Sequence, residues 1–72
     1  MSMETQAERL DAVAAEATKL AEHARVAAIH FRNKEVPRGA AHALAARGHL
    51  LAIRAELDAL TREHAAHSRP VV

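Results

Sequence analysis

Apolar residues recur along the first half of the chain at alternating intervals of three and four. From Leu10 the series runs Val13, Ala17, Leu20, Ala24, Ala27 and Phe31, the a and d positions of a heptad on one helix. The e positions beside it are Ala7, Ala14, Ala21 and Ala28, small enough to let another helix come close on that flank. A second series runs Ala43, Ala46, Leu50, Ile53, Leu57 and Leu60. It is accompanied by a stripe of small residues, Ala41, Ala45, Gly48, Ala52, Ala55 and Ala59. Both patterns have the helical period. They predict two long helices, over about residues 5–33 and 37–66.

The ends of these helices carry local signals. Thr5-Gln6-Ala7-Glu8 has the form of a capping box, with Ser2 as a rival N-cap. Between Asn33 and Gly39 the periodicity stops. Val36 precedes a proline and is expected to be extended, while Pro37 suits the first turn of a new helix. A turn over 34–37 makes the two helices antiparallel neighbours. The expected fold is therefore all-α: one domain over 1–72, an antiparallel helical hairpin with a frayed tail at 67–72. Gly48 costs the second helix roughly 1 kcal/mol against alanine, for which close packing is the expected compensation. The alternative is that Gly48 breaks the helix, leaving 40–47 and 49–63 as a helix-turn-helix.

Composition limits how such a hairpin can be stable. The chain has 72 residues and half of them are hydrophobic, but 19 of those 36 are alanine, which favours helix and buries little area. A single core at this length supplies only a few kcal/mol, so such chains usually need a staple or a partner. There is no cysteine, which excludes a disulfide and any zinc site built on thiolates. A cytoplasmic location is the expectation, with no signal peptide and no apolar run long enough for a membrane span. Eight of the ten basic residues are arginine, which together with the alanine content suggests GC-rich coding DNA and a bacterial source.

Two asymmetries point to a partner. Near the turn, Val26 and Ile29 on the first helix and Leu44 and Leu51 on the second lie off the main seam. One helix pair has a single mutual interface, so a second apolar face asks for a second partner; the bland alternative is that Val36 and the loop cover it. Charge is polarised as well. Residues 23–55 carry Arg25, Arg32, Lys34, Arg38, Arg47 and Arg54 against Glu35, a net +5, whereas residues 1–22 are at −3 and residues 56–72 at −1. The turn half is basic and the open half acidic.

Six histidines complete the inventory. His23 and His30 occupy g positions of the first helix, His42 and His49 those of the second. In an antiparallel pair g faces g. With the turn centred near Val36, His30 falls opposite His42, His23 opposite His49, Glu16 opposite Glu56 and Arg9 opposite Glu63. Rungs of such a ladder lie about 10 Å apart, so three ligands do not meet around one metal ion. His64 and His67, with Glu63 beside them, have helical spacing but lie in the last turn.

No catalytic residue, metal ligand or cofactor site is expected. There is no cysteine nucleophile, no glycine-rich phosphate loop and no arrangement that spaces histidine and glutamate around a substrate. The best-supported expectation is a non-enzymatic protein–protein interaction module, a homodimeric hairpin forming a four-helix bundle. Its expected interface is Val26, Ile29, Ala41, Leu44, Ala45, Gly48, Leu51, Ala52 and Ala55. One alternative is a small regulator that meets phosphate backbone or an acidic partner through Arg25, Arg32, Lys34, Arg38, Arg47 and Arg54. Another is an accessory subunit docking on a larger protein. The basic half has no aromatic residue apart from Phe31 on the seam, so stacking on bases is not expected.

Overall fold

The computed structural model describes residues 2–67. Two helices account for nearly all of them, α1 (Met3–Arg32) and α2 (Val36–His67), packed against each other as a hairpin. The expected helices are both present, and α2 runs unbroken through Gly48, so the helix-turn-helix alternative is overturned. Residues 68–72 of the expected tail lie outside the described residues, and His67 still belongs to α2.

Ser2, not Thr5, caps α1. Its backbone is extended, and its hydroxyl accepts a hydrogen bond from the Thr5 N–H at 3.0 Å. Thr5 lies inside the first turn and pairs its own hydroxyl with that of Ser2 at 2.7 Å. The earlier cap adds a turn to α1, and Glu4 takes the place near the positive end of the helix dipole.

The connection is tighter than expected. Asn33 closes α1, Lys34 adopts a left-handed conformation with φ 60°, and Glu35 leads into α2. The Lys34 N–H donates to the Phe31 carbonyl at 3.0 Å and the Glu35 N–H to the His30 carbonyl at 2.8 Å. This pair of bonds is a Schellman motif, which satisfies carbonyls that the helix end would otherwise leave open. Glu35 then accepts from the Gly39 N–H at 3.0 Å, opening the next helix. Val36 is the first residue of α2 and not an extended linker; entry into the helix outweighs the pre-proline preference there.

The hairpin measures 57 × 24 × 13 Å. Its thickness is that of one helix with its side chains, so the fold has one layer where a stable domain has two. Only Ala27 and Gly39 are buried among the described residues. The seam is split in two. On α1, Val13, Leu20 and Ala27 turn inward while Leu10, Ala17, Ala24 and Phe31 stay exposed. On α2, Ala46, Ile53 and Leu60 are half-buried while Ala43, Leu50 and Leu57 are exposed. Each helix sees only one neighbour and so buries one sector. The d positions share that sector with the g positions, and the a positions are left outside.

Candidate assembly interface

Between the helices the g positions form a column of polar side chains. The rings of His30 and His42 stack with centroids 5.4 Å apart, and those of His23 and His49 at 5.3 Å. These are the two expected histidine rungs. The rungs are also joined to each other, because His23 Nδ1 lies 3.0 Å from His42 Nδ1. Carboxylates close both ends of the column. His49 Nδ1 is bonded to Glu16 at 2.5 Å, and His30 Nδ1 stands 3.5 Å from a Glu35 oxygen.

Further along, Arg9 reaches Glu63 at 2.5 Å, the third expected rung, and Gln6 donates to the same carboxylate at 2.7 Å. The expected rung of Glu16 with Glu56 does not form. Two carboxylates repel, and each has a better diagonal partner: Glu16 takes His49, and Glu56 lies 3.9 Å from Arg9. Among the described residues, no group of three or more histidine, aspartate or glutamate side chains could hold a metal ion. The column works as a polar zipper between two helices. It accompanies the split seam: His23 with His42, His49 with Glu16 and Arg9 with Glu63 find partners there, while Gln6 Oε1, Arg9 Nε and His30 Nδ1 are buried without a hydrogen bond among the described residues.

The displaced a positions make a surface of their own. In two antiparallel helices, residues rotated the same way from the mutual contact fall on the same side of the pair. Phe31 shows this directly: its ring lies over Gly39 of α2, where an added Cβ would sit 2.8 Å from it. Leu10 (49% exposed), Phe31 (47%), Leu50 (53%) and Leu57 (40%) therefore share one face. Small residues fill the space between them. Ala17, Ala24 and Ala43 are exposed in the same rows.

The residues expected at a partner interface fall elsewhere. Ala45 and Ala52 are half-buried. Ala41, Leu44, Gly48, Leu51 and Ala55 are exposed along α2, and nothing lies within 4 Å of a Cβ built on Gly48. Val26 is half-buried and Ile29 exposed. The loop does not fold over this region, since Val36, Leu44 and Leu51 all remain at least half exposed.

The six basic residues Arg25, Arg32, Lys34, Arg38, Arg47 and Arg54 are all exposed but not gathered. Arg25 and Arg32 line an open concavity with Ala24, Ala28 and Ile29. Arg47 and Arg54 are on the other helix, where Arg54 lies 3.8 Å from Asp58. Arg38 is engaged with Glu35 at 3.0 Å, and Lys34 carries the left-handed turn.

The a-position face was hidden in the sequence because a heptad seam reads as the intramolecular contact. The g-position ladder held the missing signal: if g lies at the centre of the contact, a cannot. Among the described residues, no helix is long and apolar enough to cross a membrane. The chain matches no protein-family model, and no curated protein or solved structure is detectably similar to it.

Proposed function

We propose that this chain is a non-enzymatic assembly module, a helical hairpin whose working form is a homodimeric four-helix bundle. The observation that carries this reading is the single layer. A chain of 7.8 kDa folded as a compact monomer exposes about 4,400 Å², whereas this hairpin exposes 5545 Å². The excess is of the order of the ~800 Å² that each partner buries in a standard interface. Nine large hydrophobic residues contribute to it, from Met3 to Leu57. The concavity on α1 is open, and it offers two arginines but no nucleophile or general base. A cytoplasmic setting fits a chain stabilised by packing and not by disulfides.

Sedimentation equilibrium on the purified chain tests the proposal. A dimer at low micromolar concentration, with helix content that falls on dilution, is the expected result. A well-folded monomer at high micromolar concentration overturns it.

A second reading, contact with a phosphate backbone, draws on Arg25 and Arg32 lining one concavity. It has less support, because Arg47 and Arg54 sit on the other helix and Arg38 is engaged with Glu35. A third reading, docking on a larger protein, would use the exposed Leu44 and Leu51.

A further inference from the structure

The outer margin of the a-position face on α1 carries residues at seven-residue spacing: Glu4, Asp11, Thr18, Arg25 and Arg32. The row is acidic at the open end, neutral in the middle and basic toward the turn. All five are exposed, and none of the four charged ones has an ion-pair partner among the described residues. The adjoining apolar row is graded too: Met3 and Leu10 are large, Ala17 and Ala24 small, Phe31 large.

From these two rows we infer that the occupant of this face is a second copy of the chain, laid antiparallel so that α1 packs on α1 with its two-fold axis near Ala17 and Thr18. This inference rests on the self-assembly reading above. A two-fold contact pairs residue i with j and j with i. Centred there, it sets Asp11 of one copy beside Arg25 of the second, and Glu4 beside Arg32. The same operation sets Leu10 against Ala24, large on small, and Met3 against Phe31. The alanines at 7, 14, 21 and 28 then lie along the contact and let the helices approach. On α2, Leu50 of one copy meets Leu57 of the second. From Met3 to Phe31 the face runs about 42 Å along α1 at 1.5 Å per residue and is two helices, about 20 Å, wide, which is of the order of the ~800 Å² per partner of a stable interface. With both turns at one end, each basic half would instead lie against a basic half, +5 on +5. Opposed copies bring basic onto acidic at both ends.

Single cysteines test the arrangement cleanly, since the chain has none of its own. Thr18→Cys places one thiol from each copy beside the two-fold axis. Lys34→Cys places them at opposite ends of the bundle, unless the turns coincide. The expected result is rapid cross-linking of the Thr18→Cys dimer by a short bis-maleimide and none for Lys34→Cys. Cross-linking of Lys34→Cys alone overturns the inference in favour of coincident turns. A dimer in which neither variant cross-links places the contact on another face and overturns it as well, leaving self-assembly intact. A monomeric parent chain by sedimentation removes the self-assembly reading itself.

A charge swap gives an independent readout. Asp11→Arg is expected to raise the dimer dissociation constant about tenfold, as two modest surface pairs per dimer turn repulsive. Adding Arg25→Asp is expected to restore it. No recovery in the double variant counts against the pairing.

Discussion

His23 and His42, nineteen residues apart, share a hydrogen bond between their Nδ1 atoms at 3.0 Å. One of the two nitrogens must donate and the other accept, so the bond exists only while at least one ring is neutral. His30 stacks on His42 and His49 on His23. Beyond them stand Glu35 and Glu16, and Lys19 lies 4.0 Å from Glu16. No other charged group of either helix contacts the four rings among the described residues.

This geometry predicts energetic coupling between the two central rings. His23→Ala and His42→Ala each remove one partner of the 3.0 Å bond and are each expected to destabilise the hairpin by about 1 kcal/mol. The double variant is expected to lose less than the sum of the two, because both single changes break the same contact. Strictly additive losses in urea denaturation would mean the central pair is a spectator.

Lys34→Gly is expected to stabilise the hairpin. Lys34 holds φ at 60°, a conformation that costs an ordinary residue roughly 1–2 kcal/mol and glycine almost nothing. Its side chain takes part in no ion pair among the described residues. Denaturation by urea should show a gain of about 1 kcal/mol, or a rise in Tm of about 4–8 °C. An unchanged midpoint would show that the turn relaxes at no cost.

The two glycines should respond oppositely to alanine. At Gly48 an added methyl meets open space, so Gly48→Ala should stabilise by about 1 kcal/mol through helix propensity. At Gly39 the methyl would lie 2.8 Å from the Phe31 ring. That ring must leave its seat on α2, and overpacking of this kind costs about 1–3 kcal/mol. Gly39→Ala should therefore be neutral to destabilising, and should weaken the proposed dimer. A stabilised, fully dimeric Gly39→Ala variant would argue that Phe31 carries no weight.

Nucleic acid should be held only weakly. The exposed arginines form no continuous strip, so any retention of DNA or RNA at low salt should be insensitive to sequence and vanish by about 200 mM salt. Arg25→Ala with Arg32→Ala should weaken it more than Arg38→Ala, whose guanidinium is engaged with Glu35. A complex that survives physiological salt in a mobility-shift assay would favour the phosphate-backbone reading over assembly.

Much of the fold was legible from local chemistry. A seven-residue repeat over 10–31 and 43–60, broken only between Asn33 and Gly39, suffices for two helices and a turn, because helical period and turn punctuation are local properties. The antiparallel register was also readable, since a short turn centred near Val36 sets which residues stand level. His30 with His42, His23 with His49 and Arg9 with Glu63 follow from it. The N-cap was harder to place: Ser2 and Thr5 both carry the needed hydroxyl, and the choice fell to Ser2, which extends the helix by a turn.

What only the tertiary structure decided is which side of each helix meets the other. Periodicity marks an apolar stripe but does not say how far a helix is rotated about its own axis. In a pair with one mutual contact, a rotation of some tens of degrees exchanges a/d packing for d/g packing. Here the rotation brings the histidines and their carboxylates between the helices, where His23 bonds His42 and His49 bonds Glu16 while His30 Nδ1 is buried without a hydrogen bond among the described residues. Leu10, Phe31, Leu50 and Leu57 are left on a common outer face. The alanine-rich composition carries the expectation of a partner; the rotation of the helices decides which apolar residues are left exposed.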